Sequence, residues 1–244
     1  MANDLTEKYV DEQCAYLFNK YFYKLILEKK YIENFGEIEI ARMESIYDSM
    51  IINKKLEDLF FSGGNESIQE DIYIDYNARK EFFDLERQIK EMKTNMSSNS
   101  KDLKDLEQYY NKDLKSKFES IIRKASPYLN SSKKAGDIWK KFNLALEKEN
   151  WKEIIKLEQV ARGLRVYKRD ISEAELNRVI KDIQKARLSV RNRHPFNMIE
   201  TLNDEESLKN KQDEEISNVK SIRESYAKIA DIYLATSTEP RWFS

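Results

Sequence analysis

The stretch DLKSKFESIIRKASPYLNSSKKAGDIWKKFNLALEKENWKEIIKLEQV, residues 113–160, decides how this chain is read. Leu114, Phe118, Ile121 and Ile122 repeat at the three- and four-residue spacing of one helix face, so a helix is expected up to Ala125. Ser126-Pro127-Tyr128-Leu129-Asn130 follows as a turn. A second helix carries Ile138, Trp139, Phe142, Asn143, Ala145 and Leu146. Glu147-Lys148-Glu149-Asn150 makes a short polar break, and a third helix opens at Trp151.

The pattern outward from this stretch is helical on both sides. Asp4 and Glu7 have the spacing of a capping box. Val10, Cys14, Leu17, Tyr21, Leu25 and Glu28 then step by three or four, and Tyr16, Phe18, Phe22 and Tyr23 widen the apolar side. Gly36 is expected to end that helix in a left-handed cap. A second long helix, about 37–59, carries Ile40, Met43, Ile46, Tyr47 and Met50 on one side. Gly63-Gly64 marks a break. Ser67 with Glu70 opens a third helix to about Lys93, whose Phe82, Leu85, Ile89 and Met92 form a coiled-coil-like seam. The polar run Thr94 to Ser100 is expected to be a linker. Beyond the central stretch, Leu176, Val179, Ile183, Ala186 and Val190 make one seam, and Ile216, Val219, Ile222, Tyr226, Ile229 and Tyr233 make another. The break at His194-Pro195 and a cap at Asn203 or Asp204 should let the two zip antiparallel. The expected organisation is therefore a long-helix hairpin region over 1–96, a small helical unit over 101–160, an antiparallel hairpin over 161–235 and a tail over 236–244.

Composition agrees with an all-α fold. Apolar residues make up 40%, enough to bury a core, and only five Gly and three Pro serve 244 residues, too few for a fold rich in strands and tight turns. Charged residues reach 36% and alternate in sign, as on solvated helix faces. Lys plus Arg is 43 and Asp plus Glu is 44, so nothing draws the whole chain to nucleic acid or to an anionic membrane. No apolar run approaches the roughly 18 residues that span a bilayer, and the N-terminus lacks the pattern of a signal peptide. Cys14 is alone, which excludes an internal disulfide and fits a reducing, cytoplasmic setting. It reads as a small buried apolar residue.

The central stretch resembles the J domain of DnaJ-type co-chaperones. In that family a basic helix leads into a loop with His-Pro-Asp, commonly followed by a hydrophobic residue and Asn, and a second helix packs back antiparallel. Here Lys112, Lys115, Lys117, Arg123 and Lys124 supply the basic helix, and Ser126-Pro127-Tyr128 stands where His-Pro-Asp would be. Leu129-Asn130 continues the pattern, and Phe142-Asn143 with Ala145 resembles the end of the second helix. The wider layout is similar to bacterial J-domain proteins with a long coiled hairpin before the domain and a helical extension after it. The resemblance implies a protein partner, an Hsp70-type chaperone or a client, met through those basic residues and the turn. It also implies a loss: the family's aspartate offers an anion that helps trigger ATP hydrolysis in the partner, and Tyr128 has none. The chain is accordingly expected to be a non-enzymatic adaptor that fails to stimulate an Hsp70-type ATPase.

Other readings of the residues are a purely structural coiled-coil scaffold, self-associating as a homo-oligomer, and a nuclease. For the latter, Arg187 and His194 are separated by six residues, as in the all-helical HEPN ribonucleases, where the Arg steadies phosphate and the His does acid–base chemistry. Leu188 stands where that family often has a polar residue. His194 is the sole histidine, so no catalytic triad or histidine metal cluster is expected. Gly63-Gly64 lacks the lysine and strand of a phosphate loop. The acidic triplets at 204–206 and 213–215 read as charges favoured near a helix N-terminus. No cofactor or metal is expected.

Overall fold

The structure is a computed structural model that describes residues 2–61, 76, 79–80, 82–111 and 113–238. The fold is all-α. Helix α1 (Ala2–Leu17) runs through a π-helical turn (Phe18–Tyr23) into α2 (Lys24–Phe61); α3 is Phe83–Asn111, α4 Leu114–Ala125, α5 Lys133–Glu147, α6 Trp151–Arg162, α7 Glu173–Arg191, α8 Ile199–Asn203 and α9 Glu205–Thr238. Among the described residues, no helix is long and apolar enough to cross a membrane. The expected capping box at Ser67 and Glu70, the Gly63-Gly64 break and the aromatic tail at Trp242 and Phe243 lie outside the described residues.

The chain forms two compact units, one of Met1–Lys30 with Lys101–Leu202, the other of Tyr31–Ser100 with Asn203–Ser244. This division differs from the sequential regions expected from the sequence. The dividing points at residues 30/31 and 100/101 fall inside α2 and α3, where backbone hydrogen bonding is continuous and leaves no local mark.

In the first unit, the aromatic surplus of the N-terminal helix becomes core. Phe18 meets Phe118 edge-on at 5.8 Å, Phe118 meets Phe142 at 5.3 Å, and Phe22 meets Trp151 at 5.0 Å. Such edge-to-face pairs add stabilisation to the large area each ring buries. The buried set on this helix within the first unit is Tyr9, Val10, Cys14, Leu17, Phe18, Phe22, Ile26 and Leu27, whereas the expected stripe continued to Tyr21 and Leu25. The π turn is the reason: its wider spacing shifts the buried stripe by one residue.

Capping explains the borders of the central helices. Asp113, in the left-handed region at φ 54°, accepts from the Ser116 N–H at the start of α4. Ser132 accepts from Ala135 N–H to open α5, and Asn150 accepts from Glu153 N–H to open α6. These bounds match the helix, turn and polar break read from residues 113–160. Asp4 is not a cap, because α1 already begins at Ala2.

Three other expectations need correction. Gly36 does not end a helix. It lies buried within α2, and a Cβ there would come within 3.0 Å of Met96 Sδ, so the glycine permits close approach of α3 in the second unit. The run Thr94 to Ser100 is not a linker but the middle of α3. Thr94 Oγ1 donates to Lys90 O and Ser97 Oγ to Thr94 O, so these polar side chains satisfy themselves on their own helix. The seam of Phe82, Leu85, Ile89 and Met92 continues at the same spacing through Met96 and the buried Asn99. Finally, α7 and α9, expected as one hairpin, belong to different units, and each packs within its own unit. The α7 seam, with Leu176, Ile180 and Ile183 buried, faces the first unit's core, where α7 packs on α1. In the second unit, α9 is tied to α2 by Gln212 Nε2 donating to Asn34 O at 2.8 Å and by Arg223 Nε donating to Ser45 Oγ at 3.1 Å.

The candidate partner-binding turn

The stretch Ser126 to Asn130 reverses the chain between α4 and α5, and α6 packs against both helices. Pro127 therefore sits in a tight bend between two rods. Ser126 ends α4 by donating its N–H to Ile122 O, and its carbonyl accepts from Leu129 and Asn130 N–H at 3.0 and 2.9 Å.

Asn130 fixes this bend. Its Nδ2 donates to Lys124 O at 2.7 Å and to Arg165 O at 3.2 Å, while its Oδ1 accepts from the N–H groups of Ser132 and Tyr167 at 3.1 and 3.3 Å. Both donors and both acceptor positions of the amide are thereby used, as a buried amide requires. One side chain joins the end of α4, the start of α5 and the strap of residues 163–172 that follows α6. The strap is held further by Ser131 N–H donating to Tyr167 O and by Arg169 Nη1 donating to Pro127 O at 3.0 Å.

On its other side the turn is covered by α1. Ser126 is fully buried and its Oγ is hydrogen-bonded to Tyr9 Oη at 2.6 Å. Tyr9 also meets the ring of Tyr128 edge-on at 5.6 Å. Burial raises the pKa of the Tyr9 phenol well above its ordinary range, so it stays neutral. Just before the bend, Arg123 donates to both carboxylate oxygens of Glu7 at 2.6 Å and also to Glu119. The hydrogen bond from Arg123 holds the Glu7 carboxyl below its usual range.

The residues expected to meet a partner are thus split. Ser126 is walled in, and Arg123 is committed to two carboxylates of the same chain. Pro127 and Tyr128 are half-buried. Lys115 is exposed, Lys117 and Lys124 are half-buried, and Lys112 lies outside the described residues. Lys117 and Lys124, seven residues apart, share one side of α4, whereas Lys115, two residues from Lys117, faces another way. Glu7, Tyr9 and Arg169 were missed by sequence reasoning. Each reaches the turn from an element far away in the chain, and nothing local in the sequence signals it.

Cys14 sits in the α1 core, 2% exposed, its Sγ donating to Lys115 O at 3.5 Å. Burial pushes its thiol up to about 12. Arg187, the candidate phosphate-steadying residue, donates to Glu12 Oε2 at 2.7 Å, and Gln184 donates to Glu12 Oε1 at 2.9 Å. The Arg187 guanidinium is therefore engaged by a carboxylate of α1. His194 lies exposed in the turn after α7. Comparison with protein-family models, with curated proteins and with solved structures found no match.

Proposed function

We propose that this chain is a protein-interaction module related to the J-domain co-chaperones, an adaptor that has kept the shape of the domain and lost its trigger. The reading rests on one observation above all: Pro127 stands in a tight turn between two helices that pack on each other, the first of them basic, with a third helix packed on both. The other residues of the bend support the loss. Where the family carries an imidazole, this chain has Ser126 buried against Tyr9, and where it carries an aspartate, it has Tyr128. Charge-assisted hydrogen bonds are the strong ones, so a partner's cation would find no anion here. The kinship also suggests a bacterial, cytoplasmic protein, with a DnaK-type chaperone or one of its clients as partner through the Lys117 and Lys124 side of α4.

The test is direct. The full chain added to a DnaK-type chaperone is expected to leave ATP turnover at its basal rate, and clear stimulation would overturn the loss of the trigger. Immobilised chaperone should still capture the wild-type chain, and Lys117→Glu with Lys124→Glu should weaken that capture about tenfold. Equal capture of wild type and variant would remove α4 as the docking side.

A further inference from the structure

A second surface lies against the turn, on the side formed by α1, the 163–172 strap and the start of α7. It is a groove of about 270 Å³ in the first unit. Its floor is aliphatic: Leu5 from α1, Leu129 from the turn, Ile171 from the strap and Leu176 from α7. Val166 stands at its edge, 38% exposed, although it is apolar. Lys168 and Arg169 line the same groove, against one acid, Glu173.

The strap's cations are not ion-paired. Among the described residues, Arg165, Lys168 and Arg169 have no carboxylate partner, whereas Arg123 nearby is satisfied by Glu7 and Glu119. Arg165 lies instead over the ring of Tyr167 at 5.4 Å, and Arg169 spends one N–H on Pro127 O. The strap is held by hydrogen bonds from Ser131 and to Asn130, so the groove needs little ordering before it can bind.

We propose that this groove binds a short acidic peptide segment of a partner protein, one apolar side chain seated on Leu5, Leu129 and Ile171 and flanking carboxylates paired with Lys168, Arg169 and Arg165. The opposite charge selects the segment and steers its approach, and the aliphatic floor supplies the anchor. Single-stranded nucleic acid fits less well. Its bases would find one aromatic side chain in the groove lining, Tyr128, already packed edge-on against Tyr9, beside the aliphatic Leu5, Leu129, Val166, Ile171 and Leu176. The groove shares Arg123 and Tyr128 with the turn but not Lys117 or Lys124, so it stands whether or not the chain is kin to the co-chaperones.

The experiment is fluorescence anisotropy on the full chain with the labelled peptide Glu-Asp-Leu-Phe-Glu-Asp. Two control peptides replace its acids by Lys and Arg, or its Leu-Phe by Ser-Ser. The acidic apolar peptide should bind saturably and at least about tenfold tighter than either control. Lys168→Glu and Val166→Asp, both at exposed positions, should each weaken it roughly tenfold with unchanged far-UV circular dichroism. Arg165→Glu serves in place of either variant that misfolds. The proposal is overturned if the basic peptide binds equally well, if the serine peptide does, if the folded variants bind as tightly as wild type, or if oligouridylate displaces the peptide at equal concentration. The Lys117→Glu, Lys124→Glu variant should bind the peptide normally, which separates failure here from failure of the adaptor reading.

Discussion

Asn130 shows how one residue can carry the geometry of the bend. Four hydrogen bonds converge on its buried amide, and replacing it by Ala takes this partner from N–H and C=O groups on three segments. Asn130→Ala should therefore cost about 2–3 kcal/mol in denaturant unfolding. A loss of only a few tenths would mean that water replaces the amide. Cys14 gives a chemical test of the α1 packing. With its thiol pushed up to about 12 and nearly inaccessible, it should resist thiol reagents in the native chain at pH 8 and react once the chain is unfolded. Rapid labelling without denaturant would show that α1 leaves its seat. Asn130 was legible in the sequence only as the residue after Leu129. Its partners Arg165 and Tyr167 lie 35 and 37 residues away, and no local pattern joins them.

The elements departed from their sequence pattern where a partner helix, and not local propensity, set the outcome. Glycine is a poor helix former, so Gly36 reads as a stop, but packing against Met96 keeps it in α2. Gly36→Leu should destabilise the second unit by about 1–3 kcal/mol through overpacking, measured as a fall in the denaturant midpoint. A neutral result would mean that Met96 swings aside freely. The polar run of α3 misleads for a related reason. Its hydroxyls bond back to their own helix, and the apolar seam passes through it on Met96 and Asn99. In the N-terminal helix the π turn breaks the regular period, which a reading based on fixed three- and four-residue steps cannot anticipate.

At the scale of the molecule, the acid-range titration tied to folding sits on surface carboxylates in both units. Glu7 is lowered from the usual 4.5 by its hydrogen bond from Arg123, Glu215 is lowered chiefly by Lys211, and Asp204 is lowered from 3.8 by its bonds to Ser207 at the cap of α9. A carboxyl depressed in the folded state gives stability that is complete above its unfolded value and disappears as pH falls through the folded one. Melting temperature should therefore hold between pH 5 and 8 as far as these groups act, and drop below about pH 4. Glu7→Gln should lower it at pH 7, and the difference should shrink steadily as pH falls below about 4. A gap between wild type and variant that persisted in acid would assign the loss to packing instead of charge.

By itself the amino-acid sequence determined the helical class, the borders of α4, α5 and α6 and the bend at Pro127. Apolar spacing, caps and a proline act over a few residues, and a few residues suffice to specify them. The tertiary structure alone decided which seams meet: α7 on α1 and α9 on α2, with Tyr9 over Ser126 and Glu7 on Arg123. Several apolar stripes of similar length compete for one another, and the choice among them depends on the packing of all of them together.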